Sequence, residues 1–469
     1  MNLKLATNEI IHFIGIGGIG MSGLALVMNN MGFKVQGSDI KNNQNIERLK
    51  KLGIKIFIGH KQKNINNSTL IIISSAIKKN NSELQLARTK RIPIYKRGDM
   101  LANIASLKKN IVVSGSHGKT TTTSLISAIL HSSNLDPTII NGGVINQFGN
   151  SAKLGKSEWN ILESDESDGS FLKIPATYIV VTNIDKEHLD YYKNINNLVN
   201  SFKAFIEKIP PFGRAFINLD DINNQKLIRK IKFTNYYTYG FDNKSNFHIK
   251  LKGQNNKFTK FDLEVKIAGK KISYKNFKIP LIGEHNVKNA TASIAVALTL
   301  GLNIMNIKKA LKTFKGVERR YNKIFSINKN EFYDDYAHHP TEIKEVLKGA
   351  RSVNKSRKII CVFQPHRFSR VKLLYNEFST AFKQADEVLL CPIYSAGEKN
   401  DKSINDFSFA NLIIKNSKVN LFMIKNETDL SKYIKQNLFS NELIICMGAG
   451  SISSWIKNIS TKYEYRKKS

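Results

Sequence analysis

A chain of 469 residues is too long for one hydrophobic core, so two to four domains are expected. With 41% hydrophobic and 23% charged residues, and no apolar run near the roughly 20 residues of a membrane span, a soluble protein without membrane insertion is expected. The formal net charge of +35 raises a nucleic-acid-binding class, but its lysines are scattered among asparagine and isoleucine without an Arg-rich run, zinc-finger spacing or RNA-recognition signature. The charge therefore reads as the composition of an AT-biased genome on a solvated surface; no nucleic-acid partner is expected, although anionic substrates would be drawn in.

The first stretch, "MNLKLATNEIIHFIGIGG", has no small-residue cleavage site after its apolar run, which His12 interrupts. No signal peptide and a cytoplasmic location are expected. "IIHFIGI" predicts a strand, followed by a glycine turn, a helix over 21–31 and strands at "FKVQGSD" and "STLIIISSA". That β-α-β rhythm predicts a parallel sheet covered on both faces. In the turn stands Gly15-x-Gly17-x-x-Gly20, with Asp39 ending the next strand. Glycines let the backbone approach a diphosphate, and the helix N-terminus favours its charge. A dinucleotide with Asp39 on a ribose is the obvious ligand, yet any nucleoside diphosphate satisfies the same physics. The plain alternative is a turn kept for packing alone.

A second block opens with "KKNIVVSG", a buried strand running into "GSHGKTTT" and a helix over 121–131. A Walker A loop would place glycine where Val113 stands; here Gly115-x-x-Gly118-Lys119-Thr120 is shorter at its front. The phosphate-touching parts survive. Backbone N–H groups over 115–120 can face phosphate oxygens, Lys119 can reach the β- and γ-phosphates, and the Thr120 hydroxyl can ligate Mg²⁺. A metal needs a carboxylate, and Glu163 stands where the apolar strand of "NILESDESD" ends, while Asp165, Glu166 and Asp168 read as solvated loop acids. His188, in "TNIDKEHLDYY", occupies another strand-end loop; alone it reads as a satisfied polar residue. Short alternating segments over 235–278 predict an antiparallel insert, and helices return at "EHNVKNATASIAVALTLG".

A third α/β block follows "FKGVERR", with strands at "KIICVFQP", "EVLLCPI" and "ELIICMGAGSISSW" and a frayed tail, "TKYEYRKKS". Cys361, Cys391 and Cys446 each follow a short apolar run and read as buried hydrophobes, with neither metal-ligand spacing nor a disulfide framework. "DDYAHHPTE" and "QPHRFSR" come just after strand-like segments; the second offers His366, Arg367 and Arg370. A guanidinium grips carboxylate or phosphate with paired hydrogen bonds.

Taken in order, "GIGGIGMSGLA", "GSHGKTTT", "ESDESDGSF", "TNIDKEHLDYY", "GEHNVKNATASIAVA", "GVERR", "DDYAHHPTE" and "QPHRFSR" resemble the Mur ligases, ATP-dependent amide-forming enzymes of peptidoglycan precursor synthesis. The shortened phosphate loop is the form that family uses. The resemblance implies three α/β domains: a UDP-binding Rossmann-like domain over 1–107, a central P-loop ATPase-like domain with the small antiparallel insert over 108–316, and a Rossmann-like ligase domain over 317–469. It places Gly15, Gly17, Gly18, Gly20, Met21, Ser22 and Asp39 on the UDP-sugar. Gly115, Ser116, His117, Gly118, Lys119, Thr120, Thr121, Asn286, Asn289 and Asp335 fall on the ATP side. Thr120 and Glu163 would hold one Mg²⁺ and His188 a second, with Lys119, Glu163 and His188 as the catalytic set. Tyr336, His338, Arg367 and Arg370 would lie near substrate.

Within the family, the resemblance implies the member that joins L-alanine to the lactyl carboxylate of UDP-N-acetylmuramate through an acyl phosphate, using ATP and Mg²⁺. Both substrates are small molecules, and a monomer or weak homodimer is implied. Lys119 and Mg²⁺ would screen the repulsion between triphosphate and carboxylate, and domain closure would keep water from the acyl phosphate. Three other readings compete. A ligase recycling murein tripeptide differs in the first turn and the "QPHR" region. A nicotinamide oxidoreductase leaves "GSHGKTTT" idle, and a nucleic-acid-binding P-loop ATPase leaves "DDYAHHPTE" unexplained.

Overall fold

The computed structural model describes residues 9–468 apart from 234 and 402, with side chains described through 463. The reading against a signal peptide therefore falls partly on a stretch, 1–8, outside the described residues. Three sheets carry the chain. The first has the order β3-β2-β1-β4-β5, all parallel, with β1 at Ile10–Ile14, β2 at Lys34–Asp39, β3 at Lys55–Ile58, β4 at Leu70–Ile73 and β5 at Ile94–Lys96. Because β2 and β4 flank β1, the chain leaves β1 at a topological switch point, where α/β sheets bind ligands.

The second sheet contains ten strands in the order β15-β14-β13-β12-β11-β10-β6-β9-β7-β8. Its members are β6 (Lys109–Ser114), β7 (Thr138–Ile145), β8 (Asn150–Lys153), β9 (Trp159–Glu163), β10 (Tyr178–Val181), β11 (Arg214–Asn218), β12 (Tyr236–Gly240), β13 (Phe247–Gln254), β14 (Thr259–Ile267) and β15 (Lys270–Ile279). Here β6 is flanked by β9 and β10, a second switch point. The segment 235–278, expected as an antiparallel insert, departs from that at its start: β12 lies parallel to both β11 and β13, and β13–β15 continue the main sheet from it. The third sheet, order β16-β17-β21-β18-β19-β20, uses β16 (Asn322–Ile327), β17 (Asn330–Asp335), β18 (Ile359–Phe363), β19 (Glu387–Leu390), β20 (Asn420–Met423) and β21 (Leu443–Met447). Only β16 runs antiparallel to its neighbour.

Central parallel strands are buried on both faces and so read as continuous apolar runs: every residue of "IICVF" in β18 and "LIICM" in β21 is buried. Cys361 in β18, Cys446 in β21 and Cys391 just after β19 are buried free thiols, as their apolar settings predict. Helix starts use the chain's abundant asparagine. The side chains of Asn43, Asn81, Asn194, Asn303, Asn405 and Asn426 each accept a first-turn backbone N–H. The helices after β1 and β6 are capped instead by Gly18 and Gly118, without a side-chain acceptor. Uncapped first-turn N–H groups of this kind can take an anion. The tail expected to fray continues the last helix, Ile452–Lys468.

The chain forms two compact units. One runs to Leu251 and adds Phe261–Ile279 and Lys288–Lys315; the other joins Lys252–Lys260 and Pro280–Val287 to the chain from Gly316 on. In the first unit one apolar core spans both sheets, from Phe13, Leu24 and Val27 through Ile140 and Leu162 to Phe202 and Phe205. Gly23 permits this: a Cβ there would lie 3.3 Å from Ala152 Cβ on β8. Asp99 and Lys173 add an ion pair at 2.5 Å between the two parts of the unit.

Candidate active site

The first glycine turn is closed by the protein's own groups. Ser38 carbonyl accepts the N–H of Gly15 at 2.8 Å and of Ile16 at 3.0 Å. Asp39 Oδ2 accepts the Gly17 N–H at 2.8 Å while Oδ1 takes that of Ile40 at 2.7 Å, so this carboxylate shapes the turn from within. A Cβ on Gly17 would fall 2.6 Å from Asn43 Nδ2 and 2.9 Å from Asp39 Oδ2, so the side chains that shape the turn would have to shift. Met21 and Ser22 are buried in the helix that follows, Ile19–Asn30, and the Arg97 guanidinium reaches to 3.4 Å of where a Gly20 Cβ would stand. That cation beside the helix start is one the sequence reading did not nominate.

At the end of β6, the loop Gly115–Gly118 is bolted to the segment after β10. Ser116 N–H donates to Asn183 carbonyl at 2.9 Å, His117 N–H to Asn183 Oδ1 at 2.9 Å, and Asn183 Nδ2 returns a bond to His117 carbonyl at 3.0 Å. Asp185 N–H donates to Ser116 Oγ at 2.8 Å, and Asp185 Oδ2 lies 3.0 Å from His117 Nε2. Gly115 has φ +125° and Gly118 φ +82°, a region L side chains avoid. A Cβ would meet Thr182 Oγ1 at 2.3 Å on the first and Asn289 Oδ1 at 2.6 Å on the second. Asn289 thus stands against the loop, and Asn286 Nδ2 donates to Ile282 carbonyl at 2.8 Å.

Lys119 opens the helix Lys119–Ser132, its Nζ 3.2 Å from Ser116 carbonyl and 2.9 Å from Glu166 Oε2. Glu166, expected as a solvated loop acid, is fully buried, which corrects that reading. Burial pushes its carboxyl up to about 7, against the pull of Lys119. Burial works against the Lys119 charge as well, but the Glu166, Asp165, Glu187 and Glu163 carboxylates outweigh it and hold the ammonium above its ordinary range. Tyr192 anchors the same loop through its hydroxyl to Glu166 carbonyl at 2.5 Å.

Glu163 ends β9 beside the loop. Its Oε1 accepts from Thr120 Oγ1 at 3.0 Å and its Oε2 from Gly142 N–H at 2.6 Å. Hydroxyl and carboxylate oxygens side by side at a phosphate loop are the donors Mg²⁺ takes, so these residues fit that ion. Asp165, Glu166 and His188 form a second group whose ligand atoms lie within 4.8 Å of one another. His188 is in the left-handed region at φ +56°, its Nε2 4.0 Å from Glu166 Oε1. Thr121, buried in the helix, completes the loop's first turn.

The second unit gathers its own cationic site. The guanidinium groups of Arg319 and Arg320 lie 4.8 and 5.4 Å from the Tyr336 ring, which is 5.1 Å from that of His338. His338 and His366 rings lie 5.7 Å apart, and Arg370 Nη1 is 3.2 Å from His366 Nδ1. Arg367 stands at φ +70°, held by its N–H to Tyr394 carbonyl at 2.8 Å. A non-glycine residue kept there implies surroundings that over-determine it, the usual condition at a working site. Asp335 at the end of β17 is buried, each oxygen taking a backbone N–H, from Ala337 at 2.7 Å and Tyr321 at 2.8 Å. Burial pushes its carboxyl up to about 6.

A glycine turn at one switch point, a glycine loop with a buried lysine–carboxylate pair at a second, and an arginine–histidine cluster on a further sheet are the features of a nucleotide-dependent α/β enzyme. Sequence models of the Mur ligase family match as its catalytic domain over 10–109, its middle domain over 113–297 and its glutamate ligase domain over 319–450. The chain belongs to the Mur ligase family. It is 58% identical to a UDP-N-acetylmuramate–L-alanine ligase of Pelagibacter ubique, covering 98% of this chain and 99% of the relative. Among solved structures, a UDP-N-acetylmuramate–alanine ligase from Thermotoga maritima superposes with a TM-score of 0.82 at 28% identity, covering 97% of this chain and 99% of that one. A murein peptide ligase from Psychrobacter arcticus shares the fold at a TM-score of 0.72 and 21% identity, covering 97% of this chain and 98% of that one.

Proposed function

We propose that this protein joins L-alanine to the lactyl carboxylate of UDP-N-acetylmuramate with hydrolysis of ATP to ADP and phosphate, a step of peptidoglycan precursor synthesis. The observation that carries this reading is the 58% identity to an L-alanine-adding ligase along 98% of the chain. The two glycine-capped helices at switch points supply its physical counterpart. Domain limits at 107/108 and 316/317 are proposed with it, as are a cytoplasmic location and a monomer or weak homodimer acting on small molecules without nucleic acid.

A carboxylate is a poor electrophile, so its oxygen first takes the γ-phosphoryl group of ATP, ADP departing. The alanine amine then attacks the acyl carbon and phosphate leaves, the nitrogen losing its extra proton. The chain's part is orientation and charge. Backbone N–H groups of Gly118, Lys119 and Thr120 receive the phosphates, those of Ser116 and His117 being spent on Asn183, and Lys119 exchanges its carboxylate partner for a phosphate oxygen. The turn and helix start Gly15–Ser22 receive the UDP end, Asp39 shaping the turn from within. Thr120 and Glu163 would hold one Mg²⁺, and His188 with its neighbouring acids a second. Bound there, Mg²⁺ supplies charge screening between triphosphate and carboxylate. Asn286, Asn289 and Asp335 serve the adenosine side, while Tyr336, His338, Arg367 and Arg370 face the substrate carboxylates.

The test is phosphate release with ATP, Mg²⁺, UDP-N-acetylmuramate and a panel of single amino acids. Release dependent on both the UDP-sugar and L-alanine is expected. Turnover with murein tripeptide but not L-alanine would assign the recycling reaction instead. Release stimulated by DNA or RNA without the sugar would replace the ligase reading altogether.

A further inference from the structure

The first sheet buries a carboxylate that the chemistry above does not use. Glu83, in the first turn of the helix Ser82–Thr89, is 0% exposed. Its Oε1 accepts from Asn64 Nδ2 at 2.6 Å and Lys61 N–H at 3.3 Å. Its Oε2 accepts from Ser38 Oγ at 2.5 Å, with His60 Nδ1 at 3.2 Å and His12 Nε2 at 3.6 Å. Gln36 Nε2 approaches His12 Nδ1 at 3.3 Å, so the ring's hydrogen belongs on Nε2, pointing at Glu83. Burial pushes the Glu83 carboxyl up, but the nearby His12 ring and the hydrogen bonds from Ser38 and Asn64 outweigh it and leave it below the ordinary range. An ionised carboxylate is thus held inside the sheet by donors on β2 and on the stretch 60–64, with the His12 ring of β1 beside it.

One of those donors leads straight to the glycine turn. Ser38 spends its hydroxyl on Glu83 and its carbonyl on the N–H groups of Gly15 and Ile16. The next residue, Asp39, holds Gly17. We infer that Glu83 is a positioning residue for the UDP-sugar: through Ser38 it fixes the end of β2, and the end of β2 fixes the backbone that receives the diphosphate. A carboxylate kept only to fill the core would gain nothing from this choice of partner, because a buried charge is costly unless every hydrogen bond is made. An apolar side chain would pack there at lower cost. The inference rests on the reading of Gly15–Gly20 as the UDP cradle.

Glu83→Gln removes the charge at constant shape, and Ser38→Ala cuts the link while leaving Glu83 its other donors, so a folding defect in the first does not remove the test. Calorimetric binding of UDP-N-acetylmuramate to the full-length protein is expected to weaken about tenfold in Ser38→Ala, the scale of one charged buried hydrogen bond. KM for the sugar should rise alongside, with kcat and KM for ATP unchanged. Wild-type sugar affinity in Ser38→Ala would overturn the inference. So would a parallel loss of ATP and sugar affinity, the mark of general loosening. Gly17→Ala separates the levels: lost sugar binding there with intact binding in Ser38→Ala overturns the positioning role alone, whereas intact binding in Gly17→Ala overturns the cradle itself.

Discussion

Lys119 and Glu166 form an ion pair, Nζ to Oε2 at 2.9 Å, in which the carboxylate is wholly buried and the ammonium 13% exposed. Lys119 is therefore held charged beside the glycine loop by its buried partner. Lys119→Ala is expected to abolish turnover and, near pH 8, to cost about 3–5 kcal/mol of stability by stranding the carboxylate. The sign of the pH effect follows. Glu166 already has a folded-state pKa raised to about 7 from 4.5, and loss of the lysine raises it further. The folded state then binds more protons than the unfolded state, so stability is present at pH 4.5 and lost as pH rises through the folded-state value. Melting temperatures at pH 5 and pH 8 should diverge in Lys119→Ala and converge in Lys119→Ala with Glu166→Gln, which stays inactive.

Asn183 ties the phosphate loop by two side-chain bonds to His117, at 2.9 and 3.0 Å. Asn183→Ala removes both while keeping the backbone bond from Ser116. At about 1 kcal/mol per bond, KM for ATP should rise roughly tenfold or more. Affinity for the UDP-sugar should hold. An unchanged KM for ATP would show the loop to be rigid without that side chain.

These two residues mark where sequence reading stops. The loop 115–120 and Glu163 were legible because a strand, a turn and a helix N-terminus have recognisable signatures, and a carboxylate at a strand's end stands out from apolar neighbours. Glu166 was not, since an acid three residues into an acidic loop looks the same whether it faces water or a buried lysine. Asn183 sits in a quoted string, but asparagine is common throughout this chain and carries no local signal. Asp39 and Asp335 show a different limit. Their positions were legible, while their partners, backbone N–H groups of the neighbouring turns, depend on tertiary closure.

Gly142 sets the attitude of Glu163. Its N–H donates to Oε2 at 2.6 Å, and a Cβ would fall 2.4 Å from Oε1. Gly142→Ala should push the carboxylate off Thr120 and weaken the metal cradle on the scale of an outer-shell substitution, about tenfold. Mg²⁺ titration of fluorescent ATP-analogue binding measures this apart from turnover. An unaltered midpoint would mean Glu163 does not carry the ion.

His366 is the last case, and its geometry decides its protonation. Arg370 Nη1 approaches Nδ1 at 3.2 Å, and a guanidinium only donates, so that nitrogen must keep its lone pair. Burial, with the nearby charges of His338, Arg370, Arg367 and Arg319, lowers its pKa from 6.5 to about 3. The ring should stay neutral through the working range, and its NMR signals should not move between pH 8 and pH 5. The unfolded state binds the extra proton between about 3 and 6.5, so this site's share of stability is present above pH 6.5 and lost as pH falls toward 3. His366→Gln keeps an acceptor for Arg370 but cannot titrate, and its stability should fall less steeply over that window. A ring that titrates near pH 6.5 in the intact protein would put a cation, and not a lone pair, against Arg370, and the substrate-side cluster would have to be redrawn.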